Sequence, residues 1–88
     1  MSSEQTTQNG GTLGGYIRTL RYARGLTQAQ LVERLGGVVG VEQPQISQIE
    51  ADRYHPFAGQ LELILRALEA SEADARAIRA ICAREYRR

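Results

Sequence analysis

The stretch Arg24-Gly25-Leu26-Thr27-Gln28-Ala29-Gln30-Leu31 constrains this chain more than any other, because one helix must stop there and the next begin almost at once. Ahead of it, Leu13, Tyr16, Ile17, Leu20 and Ala23 recur at the i, i+3, i+4, i+7 spacing of an amphipathic helix. Gly25 follows, where a helix stop favours a residue tolerant of positive φ. Thr27 is placed to cap the second helix with its hydroxyl, and Gln30, three residues on, to complete a capping box. Leu26 before the cap and Leu31 after it have the spacing of a hydrophobic staple. So short a link forces the two helices into a sharp corner.

The same signals organise the remainder. The second helix is expected to run to about Leu35 and close at Gly36-Gly37. A third begins near Gln43-Pro44, since proline is tolerated in a first turn, and ends around Ala51-Asp52. Val41 and Ile46 repeat the staple spacing, and Ile46 and Ile49 face inward. Pro56 breaks the chain before a fourth helix lined by Leu61, Ile64, Leu65 and Leu68. Ser71 with Asp74 is a further cap signature, opening a fifth helix whose stripe is Ala75, Ile78, Ile81 or Cys82, and Tyr86. Nothing reads as a strand with turn chemistry, so the fold class is all-α with five helices. Residues 1–11 are polar, end in Gly10-Gly11, and read as a disordered arm.

At 88 residues the chain makes one small domain, of a size that buries only about 60–65 % of its unfolded surface, so association with a second copy would help it. One cysteine, Cys82, cannot form an internal bridge, and no Cys/His spacing suggests a metal, which suits a cytoplasmic location. No apolar run approaches the ~18 residues of a membrane span, and the polar N-terminus lacks a signal-peptide core. The net charge is only +1, yet every one of the 11 basic residues is arginine. Arg18, Arg21, Arg24 and Arg34 make the first third basic, and Arg76, Arg79, Arg84, Arg87 and Arg88 the last stretch. A near-neutral sum argues against bulk electrostatic binding but leaves room for local patches.

The polar face of the third helix is the candidate functional surface. Glutamine carries a donor and an acceptor in a planar fork that matches adenine N6 and N7 in the major groove. Gln43, Gln45 and Gln48 set three such forks on one short helix, with Ser47 beside them. In isolation, such glutamines are more readily the solvated face of an ordinary helix.

In order along the chain, Ile17-Arg18-Thr19-Leu20-Arg21, then Arg24 through Leu31, then Gln43-Pro44-Gln45-Ile46-Ser47-Gln48-Ile49-Glu50, then Arg53 and Pro56, resemble the lambda-repressor/Cro-type (Xre-like) helix-turn-helix family. The resemblance covers residues 13 to 70, about two-thirds of the chain. It implies a compact five-helix, lambda-repressor-like fold whose residues 12–70 make the DNA-binding domain, with helices two and three forming the helix-turn-helix. Residues 71–88 would form a C-terminal helix and dimerisation element. Carried over by position, it implies that Gln43, Gln45, Ser47 and Gln48 face the bases of double-stranded DNA. Thr27, Gln28, Arg53 and Tyr54 would touch its backbone. Arg21 and Glu50 match a pair that joins helix one to helix three; it is worth ~1 kcal/mol or less if exposed, and breaking it would cost about 3–5 kcal/mol if buried.

Two positions depart from the family pattern. Gly37-Val38-Val39-Gly40 looks like an insertion that lengthens the turn or shifts helix two. Glu42 stands where a serine or threonine cap is usual; its carboxylate suits the helix dipole, repels phosphate, and has the chemistry to accept a cytosine amino proton. Helix five either completes the monomer core or buries Ile78, Ile81, Cys82 and Tyr86 against a second copy, and a homodimer is the favoured expectation. An enzyme is disfavoured: His55 sits alone beside Pro56, Cys82 lacks a partner motif, and no glycine-rich phosphate loop follows a strand. No cofactor, metal or small-molecule ligand is expected. The competing reading is an antitoxin-like or adaptor protein whose main partner is another protein.

Overall fold

Short-range hydrogen bonds account for the helix starts and for the stops of the first four helices. The computed structural model describes residues 11–37 and 41–85, which form α1 (Leu13–Ala23), α2 (Gln28–Leu35), α3 (Gln43–Glu50), α4 (Ala58–Ala67) and α5 (Glu72–Glu85), with no strand among them. Thr12 caps α1, its Oγ1 accepting from the Gly15 N–H at 3.0 Å. The capping box of α2 is complete: Gln30 N–H donates to Thr27 Oγ1 (3.1 Å) and Thr27 N–H to Gln30 Oε1 (2.8 Å). Gly36 closes α2 in the left-handed region at φ 70°. Ser71 Oγ accepts from the Asp74 N–H at 3.0 Å and opens α5, with Glu72 and Asp74 at the positive end of the helix dipole.

The ends of α1, α3 and α4 share one device. Gly25 N–H bonds to Tyr22 O and Leu26 N–H to Arg21 O, the paired bonds of a Schellman stop around a residue with φ 69°. Asp52 (φ 62°) and Glu69 (φ 53°) fill the same left-handed position after α3 and α4, without glycine's freedom.

The helices pack α1 on α3 and α5, and α2 on α3 and α4. Ile17, Leu31, Ile46, Ile64, Leu68 and Ile78 are fully enclosed between them, with Val41 and Ile49 at 1 % exposure. Gly14 explains how closely α1 approaches the end of α3: a Cβ there would collide with the carbonyl oxygens of Ile49 and Glu50 and with the Asp52 carboxylate. Asp52 Oδ1 accepts from the Gly14 N–H at 2.9 Å, so one side chain serves the end of α3 and the start of α1.

Packing changes how two features of the sequence read. Ile78 (0 % exposed) and Ile81 (7 %) are enclosed by their own protomer, because α5 lies against α1 and Tyr16 Oη donates to Asp74 Oδ1 at 2.8 Å. Nearly all of their side-chain surface is thus used within the protomer, while Cys82 is half-buried. The basic first third is not an open patch either. Arg21 is buried, Arg24 donates to the carbonyls of Leu68 (2.8 Å) and Glu69 (2.6 Å), and Arg34 donates to the Ala67 carbonyl at 3.2 Å. Cations at the negative end of α4 stabilise that helix instead. The expected arm other than Gly11, the insertion other than Gly37, and Tyr86, Arg87 and Arg88 lie outside the described residues.

Candidate nucleic-acid interface

Helix α3 has a buried and an exposed face. Ile46, Ile49 and Glu50 turn inward. Gln43, Pro44, Ser47 and Gln48 are exposed, and Gln45 is half-buried. The outward surface is thus polar, with no large apolar side chain on it.

What fixes that face in space is the carboxylate of Glu50. Arg21 donates to it through Nε at 2.6 Å and Nη2 at 2.9 Å, and Gln28 Nε2 donates to Oε1 at 3.2 Å. Arg21 also gives Nη1 to the Leu26 carbonyl at 2.8 Å and lies over the Tyr22 ring, 4.7 Å from its centre. Both charged side chains are more than nine-tenths buried. The hydrogen bonds to Glu50 raise the Arg21 pKa above its ordinary value against the opposing effect of burial, so the guanidinium stays charged. One buried anion therefore ties α1, the α1–α2 corner, α2 and α3 together. Bidentate geometry specifies orientation as well as contact.

The other expected contact residues divide into spent and unspent groups. Thr27 is exposed, with its hydroxyl in the capping box. Gln28 has given its amide nitrogen to Glu50, while its backbone N–H, in the first turn of α2, belongs to the donors a helix leaves unpaired. Gln45 Oε1 accepts from the Glu42 N–H at 3.1 Å, so its fork is partly used in starting α3. Tyr54 is half-buried, and its hydroxyl donates to Gln60 Oε1 at 3.3 Å. Arg53 is exposed, with no hydrogen bond or ion pair through its side chain among the described residues. Gln43, Ser47 and Gln48 remain outward-facing polar side chains of the same kind.

Sequence reasoning passed over three positions that matter here. Asp52 braces α1 against the end of α3, and its only sequence signal is an aspartate where a helix stop prefers glycine. Gly14 permits the same approach. Phe57, 72 % exposed at the start of α4, is a large apolar group just beyond Arg53 and Tyr54.

No group of three or more metal-ligating side chains occurs among the described residues, and no helix there is long and apolar enough to cross a membrane. A family model described as a helix-turn-helix domain matches residues 12–78, from the cap of α1 into α5. No curated protein and no solved structure matches the chain. A helix-turn-helix domain points to DNA binding and regulation rather than catalysis.

Proposed function

The chain belongs to the helix-turn-helix domain family, and on that premise we propose that it is a transcriptional regulator, a repressor or autoregulator, that binds an inverted-repeat operator as a homodimer. Helix α3 enters the major groove, where the first turns of a recognition helix reach base edges. Gln43 and Gln48 read adenine through their amide forks, and Ser47 and the free amide hydrogens of Gln45 supplement them. The N-terminus of α2, with Thr27 and Gln28, and the Arg53–Tyr54 loop hold the phosphates on either side.

The observation that carries this reading is the exposed polar face of α3, locked from behind by the buried Arg21–Glu50 pair. A helix that docked on an apolar protein surface would be expected to show apolar groups there. The homodimer rests on the two-fold symmetry of operators read by this class of domain. Leu63 on α4 and Cys82 on α5 are apolar side chains still partly outside the protomer core.

Selection of binding sites from random duplex DNA, followed by affinity at two salt concentrations, tests the proposal. An enriched inverted repeat supports it, with half-sites about 34–36 Å apart or a multiple of that spacing. Salt-sensitive binding without an enriched motif would leave a non-specific DNA binder. Absence of binding would shift the assignment to the protein-partner reading.

A further inference from the structure

Glu42 is an anomaly on a surface meant for a polyanion. It occupies the cap position of α3 with extended backbone (φ −104°, ψ −179°). Serine, threonine, aspartate and asparagine fill such positions well; glutamate has an additional methylene and caps poorly. Consistently, no cap bond is made by its side chain.

The helix start does not depend on that carboxylate. Glu42 N–H is satisfied by Gln45 Oε1 at 3.1 Å, and Glu42 O accepts the Ile46 N–H at 2.9 Å. The residue is exposed, and no ion pair engages its carboxylate among the described residues. A charged group thus stands beside Gln43, at the end of α3 that leads into the groove, with no hydrogen-bond or ion-pair partner for its carboxylate among the described residues. It caps less well than serine or threonine and repels phosphate, and among the described residues only the helix dipole offsets those costs, by about 0.3–1 kcal/mol. Such local violations are expected where function demands them.

Resting on the DNA-reading role of α3, we infer that Glu42 is a specificity-determining residue whose carboxylate accepts a hydrogen bond from the N4 amino group of a cytosine next to the base pair read by Gln43. The chemistry selects among the bases. Guanine presents N7 and O6 and thymine O4, all acceptors that repel a carboxylate. Adenine sets its N6 donor beside the N7 acceptor, while cytosine offers its N4 donor alone. The carboxylate therefore gives up some general affinity and gains discrimination.

The test compares site selection by the full chain and by Glu42→Ser, a variant that restores a good cap, with its fold checked by circular dichroism and melting. The wild type should enrich a cytosine at one position of each half-site. Glu42→Ser should lose about tenfold discrimination at that position, within what one base contact supplies, and leave the others unchanged. It should also bind unrelated duplex about threefold more tightly, the effect of removing one like-charge pair roughly 7 Å apart in bulk water. An identical motif from both proteins would overturn the role of Glu42 while leaving the DNA-reading role of α3 intact. No enriched motif from the wild type would overturn both.

Discussion

Replacing Glu50 by glutamine should cost far more than its conservative shape suggests. The substitution keeps the side-chain volume but removes the charge facing Arg21, whose guanidinium then remains buried without an anion. Taking the two delocalised charge centres as roughly 4 Å apart, and an effective dielectric of about 20, their attraction is about 4 kcal/mol. That agrees with the 3–5 kcal/mol lost on average when one partner of a buried pair is removed. The bonds worsen as well: carboxylate Oε1 accepts from both Arg21 and Gln28, and Oε2 from Arg21, whereas a glutamine amide must present N–H groups to one of these donors. At about 0.05–0.15 kcal/mol per residue, a chain of this length has roughly 4–13 kcal/mol in total, so the variant should lie near the edge of folding. Urea denaturation followed by circular dichroism measures the loss, and Tm should fall by about 12 °C or more. The double variant Arg21→Met/Glu50→Leu should recover most of the stability, because a buried pair replaced by apolar groups is often neutral. A loss below about 1 kcal/mol in Glu50→Gln, the value for an exposed pair, would refute the view that this carboxylate organises α1, α2 and α3.

Gly14→Ala should destabilise the protein by about 1–3 kcal/mol although alanine is the better helix former by about 1 kcal/mol, because its Cβ meets the carbonyls at the end of α3; a gain in Tm would show that α1 and α3 can move apart freely. Burial first, and donation to Asp74 second, raise the Tyr16 phenol above its ordinary 10.0. A raised folded-state pKa means its contribution is complete below pH 10 and disappears as pH climbs through the folded value. Tyr16→Phe should therefore lower stability by about 0.5–1.5 kcal/mol at neutral pH and remove part of the alkaline loss; unchanged urea midpoints from neutral to alkaline pH would contradict this. Gln48→Ala should relax base preference at one or two positions for about 1–3 kcal/mol, whereas Arg53→Ala should weaken all duplexes alike and reduce the salt dependence. Titration of the selected site and of unrelated DNA separates the two, and an unchanged preference in Gln48→Ala would remove that side chain from the reading face.

Much of the architecture is legible along the chain because its causes lie within a few residues of one another. The Thr27–Gln30 box spans three residues, as does Ser71 with Asp74, and the stops at Gly25 and Gly36 need only a residue at ease with positive φ. The apolar stripes of α1 and α4 follow from a period of 3.6, which any fold of these helices must respect. The pairing of Arg21 with Glu50 entered through family resemblance alone; nothing in spacing distinguishes those two from the other charges.

Side chains that span the fold are another matter. Arg18, Arg21, Arg24 and Arg34 read alike in the sequence, yet Arg21 is buried against α3, and Arg24 and Arg34 neutralise the carbonyl end of α4. Gln28 reads as a surface fork until Glu50, 22 residues away, takes its amide hydrogen. Asp52 becomes a brace for α1 only when α3 brings it to Gly14, 38 residues distant. Ile78 and Ile81 show the same ambiguity in apolar form, since an amphipathic stripe says that a face is buried but not in which copy. Periodicity and capping are properties of the local backbone, and therefore of the sequence; the partner of a long side chain depends on which helices meet, and only packing supplies that.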